Sequence, residues 1–282
     1  MLGTLRQLHH WAGRPEWIER NYARVARRRD YVPGPWLDAV AARCGGLEGR
    51  RVLEVGCDPQ GRFVSQVQQR HRPAEIVGMN LVAPDLELEA GCRLEPGDIR
   101  QTGYDDGAFD VILSSSAFEH IANFDTALSE MHRILAPGGR LFSHFGPIWS
   151  TSYGHHLWLH HDGQLYNYWN VALPAYCHLL MTREEVSEEL ARTHPAAVCD
   201  VITEYVFASP EQNHLFFEDY ETIVADSDFD VLFFKGYDNP KLAHRYNASI
   251  GPDTYRRLRD AYPTNRHFSY DGITLLLEKP GL

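Results

Sequence analysis

Val52-Leu53-Glu54-Val55-Gly56-Cys57-Asp58-Pro59-Gln60-Gly61-Arg62-Phe63 is the stretch from which the rest of this chain can be read. A short apolar run ending in glycine reads as a buried strand, Arg51–Val55, and the turn after it opens a helix over Phe63–Arg70. In a parallel α/β sheet, ligands bind at such carboxyl ends of strands. Glycine lets the backbone come close to the ligand, and the helix amino terminus offers free N–H donors. A dinucleotide fits poorly, because Asp58 stands where G-x-G-x-x-G requires its second glycine, and Gln60 follows. Glu54 and Asp58 would repel a pyrophosphate, so a positively charged ligand with hydroxyls and amines suits the turn better.

Outward from this turn the rhythm repeats. Further strands are expected at Glu75–Met79, around Leu94, at Phe109–Ser114 and at Arg140–His144, with a helix over Phe124–Leu135 and a turn at Pro137-Gly138-Gly139. Strand–helix alternation of this kind predicts a parallel sheet with helices on both faces. Residues 1–49 read as helical, with Leu5, Leu8, Trp11, Trp17, Ile18, Tyr22 and Val25 on one face and a second helix from Trp36 to Cys44 after Pro33-Gly34-Pro35. Towards the other end, helices are expected over Arg183–Arg192, Gln212–Ala225 and Asp253–Ala261, and strands at Asp230–Lys235 and Gly272–Lys279.

Composition narrows the partners. A net charge of −11 over 282 residues argues against nucleic acid, and the basic group Arg24, Arg27, Arg28 and Arg29 reads first as a solvated helix face. No apolar run is long enough to span a bilayer, and the first residues lack signal-peptide organisation, so no membrane role is expected. Cys44, Cys57, Cys92, Cys177 and Cys199 are odd in number and widely spaced, which disfavours a disulfide framework or thiolate zinc site and points to the reducing cytoplasm.

The stretch Val52–Gly61 resembles the first motif of class I S-adenosylmethionine-dependent methyltransferases of the type 11 kind. Val77-Gly78-Met79-Asn80, Pro96-Gly97-Asp98-Ile99, Phe109–Ser114 through Ala117-Phe118-Glu119-His120, and Arg133–Leu141 resemble the later segments in order and spacing. The resemblance implies a doubly wound, mostly parallel seven-stranded sheet. Residues 1–49 would form a helical lid, 50–145 the S-adenosylmethionine-binding core, 146–193 a cap inserted after strand five, and 194–282 the return to the core. It implies S-adenosylmethionine as cofactor and S-adenosylhomocysteine as product. Gly56 would lie under the methionine part, Glu54 would help hold its amino group directly or through water, and Cys57 would be among the cofactor-binding residues. Asp98 would accept from the adenine amine, Ile99 would flank the ring, and Ser114 or Ser115 would lie beside the cofactor. The chain departs from the family at Asn80, where an acid usually grips the ribose, and at Asp58 and Gln60, where small residues are usual.

The acceptor is expected to be a small metabolite methylated on oxygen or nitrogen. Non-methylating use of the sulfonium, by cyclisation or lyase-type chemistry, and a non-catalytic binding module are the other readings. Catalytic candidates are His120 after strand four and Tyr153, His155 and His156 in a cap rich in aromatics and histidine. The same rings could instead box a cation or simply pack the loop. His156 and His160, four apart, could share a helix face and bind a metal with Asp162 nearby, but no familiar metal motif is completed. The sequence leaves a homodimer open.

Overall fold

A computed structural model describes residues 31–238 and 250–281. The expected first helix, the arginine group at 24–29 and His244 lie outside the described residues.

The strands are β1 (Arg51–Val55), β2 (Glu75–Asn80), β3 (Leu86–Glu89), β4 (Cys92–Pro96), β5 (Phe109–Ser115), β6 (Leu135–Phe145), β7 (Trp158–His161), β8 (Gln164–Asn167), β9 (Asp230–Tyr237) and β10 (Gly272–Glu278). Eight form one sheet in the order β3-β4-β2-β1-β5-β6-β10-β9, while β7 and β8 make a separate hairpin. The pairs β4–β2, β2–β1, β1–β5 and β5–β6 are parallel, and β3–β4, β6–β10 and β10–β9 are antiparallel. The expected seven strands become eight because Leu86-Glu87-Leu88-Glu89 adds an edge strand to β4. Its apolar–acidic alternation is what a half-covered edge requires.

The helices are α1 (Gly34–Arg43), α2 (Arg62–His71), α3 (Phe124–Ile134), α4 (Cys177–Leu180), α5 (Arg183–Leu190), α6 (Ala196–Ala208), α7 (Phe217–Ala225) and α8 (Pro252–Ala261). Period-two alternation along β1 divides the core. Val52 packs with Leu37, Val40, Val64 and Val67 of α1 and α2, while Leu53 packs with Leu128, Met131 and Val224 of α3 and α7. A strand covered on both faces needs an apolar run rather than a polar outer face, which is why Val52, Leu53 and Val55 stand together. Each such side chain stabilises the fold by about 1.5–3 kcal/mol.

A third apolar cluster gathers Leu157, Val171, Leu173, Val186, Leu190, Ile202 and Val206. This cluster continues past residue 193 into α6, an element the β-branched run Val198-Cys199-Asp200-Val201-Ile202 conceals from sequence patterning. The helix expected over Gln212–Ala225 starts only at Phe217. The irregular residues before it reach back to the turn after β5. All five cysteines are free and buried. Among the described residues no helix is long and apolar enough to cross a membrane.

Candidate active site at the carboxyl edge of the sheet

The turn after β1 is built around Gly56. Its φ is +87°, and a β-carbon there would lie 2.2 Å from the β-carbon of Ala117. Gly56 and Cys57 both donate their N–H to the Met79 carbonyl, at 2.8 and 3.1 Å. The Cys57 side chain is buried in the core, and burial raises its thiol pKa, so only its backbone borders the turn. Asp58 accepts from the N–H groups of Gln60 (3.2 Å), Arg62 (2.8 Å) and Phe63 (3.3 Å) and pairs with Arg62 Nε at 3.0 Å. It thus caps α2 with a carboxylate, which favours the helix dipole and leaves a phosphate nothing to bind. Asn80 Nδ2 donates to the Cys57 carbonyl at 3.0 Å, a bond no carboxylate could make.

Glu54 lies beneath this turn, 3% exposed, and its Oε2 has no hydrogen-bond partner among the described residues. Burial, reinforced by the Asp58 charge, raises its pKa well above the ordinary carboxylate range. An unsatisfied buried carboxylate is costly unless a donor completes it, and a ligand ammonium is such a donor. The residues present therefore fit the amino-acid end of S-adenosylmethionine.

The remaining predicted cofactor residues are placed less uniformly. Asp98 holds Arg100 through both Nε (3.0 Å) and Nη2 (2.6 Å), and this pairing lowers its pKa. An adenine amine must share it with that guanidinium. Ile99 is buried in the core beside Val55 and Met79. Ser114 Oγ donates to the Val55 carbonyl at 2.9 Å, tying β5 to β1 rather than presenting a free hydroxyl, while Ser115 is half-buried at the strand end.

Across the same edge, the 3-10 turn Phe118–His120 follows β5. Glu119 is 1% exposed, and its Oε1 accepts from the Gly146 N–H at 3.3 Å. His120 Nδ1 lies 2.6 Å from the Glu211 carbonyl, so it carries the proton and donates. Nε2 keeps its lone pair, 3.9 Å from Glu119 Oε1. His156 stacks on His120 with ring centroids 5.0 Å apart and planes 21° from parallel. Its backbone has φ +45° and is held by the Tyr153 carbonyl (2.9 Å) and the Tyr205 hydroxyl (3.2 Å). The Gln212 amide touches both rings, 3.1 Å from His120 Nδ1 and 2.9 Å from His156 Nδ1. Burial, and next the neighbouring His120, push the His156 pKa down to about 3.

Two catalytic candidates are placed differently from expectation. His155 is 1% exposed, accepts from the Leu157 N–H at Nδ1 (3.1 Å), and burial lowers its pKa far below the usual imidazole range. Tyr153 is buried, stacks on Tyr168 at 5.6 Å and bonds Asp271, which also accepts from Thr151 Oγ1 at 3.0 Å. Both hold the loop together because adjacent residues of a tight turn point apart, and only His156 of the pair turns to the site. Nor do His156 and His160 share a helix. His160 lies on β7, and His161 Nε2 takes Asp162 at 3.4 Å in the hairpin. Trp149 packs on His178 and His214, with centroids 4.6 and 4.1 Å away. Glu119, Gln212 and Glu211 were not among the predicted site residues. Glu119 is adjacent to His120, but nothing local marks a glutamine some ninety residues further along.

The sheet order and the acidic turn after β1 are those of the class I S-adenosylmethionine-dependent methyltransferase fold, and the similarity to that family lies in the first half of the chain. Its residues 53–143 match the family model described as "Methyltransferase domain". The chain is 33% identical over 140 residues to the demethylmenaquinone methyltransferase of Deinococcus radiodurans, covering 44% of this chain and 58% of that protein. It is also 33% identical over 99 residues to the fatty-acid O-methyltransferase of Mycolicibacterium smegmatis, covering 33% of this chain and 36% of the relative. The similarity thus spans about half the length, or less, of these curated relatives. Among solved structures, that of the cyclase SpnF superposes with a TM-score of 0.51 at 16% identity, over 91% of this chain and 86% of the other, a likeness of fold.

Proposed function

We propose that the chain transfers the methyl group of S-adenosylmethionine to an oxygen or nitrogen of a small-molecule acceptor. The observation that carries this reading is the Glu54 carboxylate, buried with Oε2 lacking a partner among the described residues, beneath a turn that only glycine can form. When bound, S-adenosylmethionine supplies an electrophilic methyl carbon: the acceptor's lone pair bonds to it as the sulfur–carbon bond breaks, S-adenosylhomocysteine leaves, and the acceptor's proton passes to water.

Glu54 takes the ammonium, Gly56 admits the methionine backbone, and Asn80 steadies the turn through Cys57. Asp98 and Ile99 receive the adenine, and Ser115 borders the cofactor at the end of β5. Glu119, His120 and His156 orient the acceptor's polar group. Residues 146–193, extended through α6 to Val206, form the acceptor cap beside the core of 50–145. The acidic balance favours a metabolite over nucleic acid, and the free buried cysteines suit the cytoplasm.

Calorimetric titration with S-adenosylmethionine and S-adenosylhomocysteine tests the cofactor part. One saturable site is expected for the parent, with affinity reduced at least tenfold in Glu54→Gln. Absence of binding by the parent would sink the reading. Label transfer from methyl-labelled cofactor to candidate hydroxylated and amine metabolites then identifies the acceptor.

A further inference from the structure

We propose that Glu119, His120 and His156 hold a divalent first-row transition metal ion of the zinc type, leaving coordination positions for an oxygen donor of the acceptor. The acceptor half of this statement rests on the methyl-transfer reading; the metal half does not.

Two imidazoles and one carboxylate form a donor set that catalytic zinc takes, with positions left for water or substrate. One potential ligand atom from each of the three residues lies within 4.8 Å of the other two. Bonds of about 2.0–2.1 Å around a tetrahedral ion put ligand atoms roughly 3.4 Å apart, so side-chain shifts of about 1 Å close the site. Backbone hydrogen bonds hold all three residues: His156 to Tyr153 and Tyr205, Glu119 to the Asn213 N–H and His120 to the Ala117 carbonyl.

The supporting contacts prepare the rings for a cation. The Glu211 carbonyl keeps the proton on His120 Nδ1 and so frees Nε2, the arrangement usual behind metal-bound histidine. A glutamine amide can present either end. With its oxygen toward the two rings, Gln212 accepts from both Nδ1–H groups and exposes both Nε2 lone pairs. A second and independent observation is Glu119 Oε2, which is buried and without a hydrogen-bond partner among the described residues. A cation would satisfy that oxygen. Imidazole donors disfavour magnesium, which prefers an all-oxygen shell.

The test uses the full chain after chelator treatment, titrated with Co2+ by visible absorption and with Zn2+ in competition, with Mg2+ as a third arm. One equivalent of Co2+ should bind with a d–d spectrum, be displaced by Zn2+ and resist Mg2+. His120→Ala, at an exposed position, and His156→Ala should each weaken binding at least 100-fold, while His160→Ala on β7 should bind like the parent. Sub-stoichiometric binding by the parent, or parent-like affinity in His120→Ala and His156→Ala, would overturn the site. Cofactor titration of the same samples separates the two claims. Metal binding without S-adenosylmethionine binding removes the methyl-transfer reading alone, and the reverse removes the metal site alone.

Discussion

Gly56 and Ala117 meet so closely that a β-carbon on the first would stand 2.2 Å from the β-carbon of the second. The contact joins the turn after β1 to the turn carrying Glu119 and His120 after β5. Gly56→Ala should therefore disturb both turns. Overpacking of this kind costs about 1–3 kcal/mol, and the φ of +87° adds strain. A lower urea midpoint and at least tenfold weaker S-adenosylmethionine binding are expected. Adding Ala117→Gly removes the clash but not the strain, and should recover part of the lost stability. An unchanged midpoint in the single variant would show that the turns do not touch.

Glu54→Gln should separate stability from function. Removing a buried, unsatisfied charge should raise the unfolding free energy by about 1 kcal/mol while cofactor affinity falls. Because the folded-state pKa of Glu54 is raised, its carboxylate weakens the fold as pH rises above the unfolded value near 4.5. The gain in stability over the parent should thus be larger at pH 8 than at pH 5. Chemical denaturation at both pH values reads this directly, and equal gains would contradict the burial argument.

His178 offers the opposite sign. Its Nε2–H donates to the Trp149 carbonyl at 2.8 Å, and burial pushes its pKa down to about 4. Below pH 6.5 the unfolded chain takes up this proton first, so the group's contribution is complete above pH 6.5 and lost as pH falls towards 4. The slope is about 1.4 kcal/mol per pH unit. His178→Gln keeps a donor for Trp149, and its stability should fall less steeply between pH 6.5 and 5. Parallel profiles for parent and variant would show that His178 titrates as in the unfolded chain.

Asp58→Ala tests the cap. Loss of a carboxylate that accepts from the Arg62 and Phe63 N–H groups should destabilise the chain by about 1 kcal/mol. Asp58→Asn should restore most of that in thermal melts, because an asparagine side chain still caps. If both variants melt alike, the capping role is wrong.

The sequence by itself determined the parallel core and pointed to the end of the sheet where the candidate site is proposed. Short apolar runs such as Val52–Val55 and Phe109–Ser114 alternate with amphipathic helices, and that period is a local property which any fold of the chain must bury. It also marked Glu54, Gly56 and His120, because strand ends and glycine turns announce themselves within a few residues. Only the tertiary structure decided which candidates face the site. His155 and His156 are adjacent and chemically alike, yet a left-handed φ at one turns it to His120 while its neighbour is sealed in the cap. Gln212, expected to open a helix, reaches both histidines and Glu211 just before it reaches His120, and Glu119 owes its raised pKa to burial that no neighbouring residue in the chain announces. Burial and long-range hydrogen bonding depend on what the folded chain brings together, and local pattern carries no record of that.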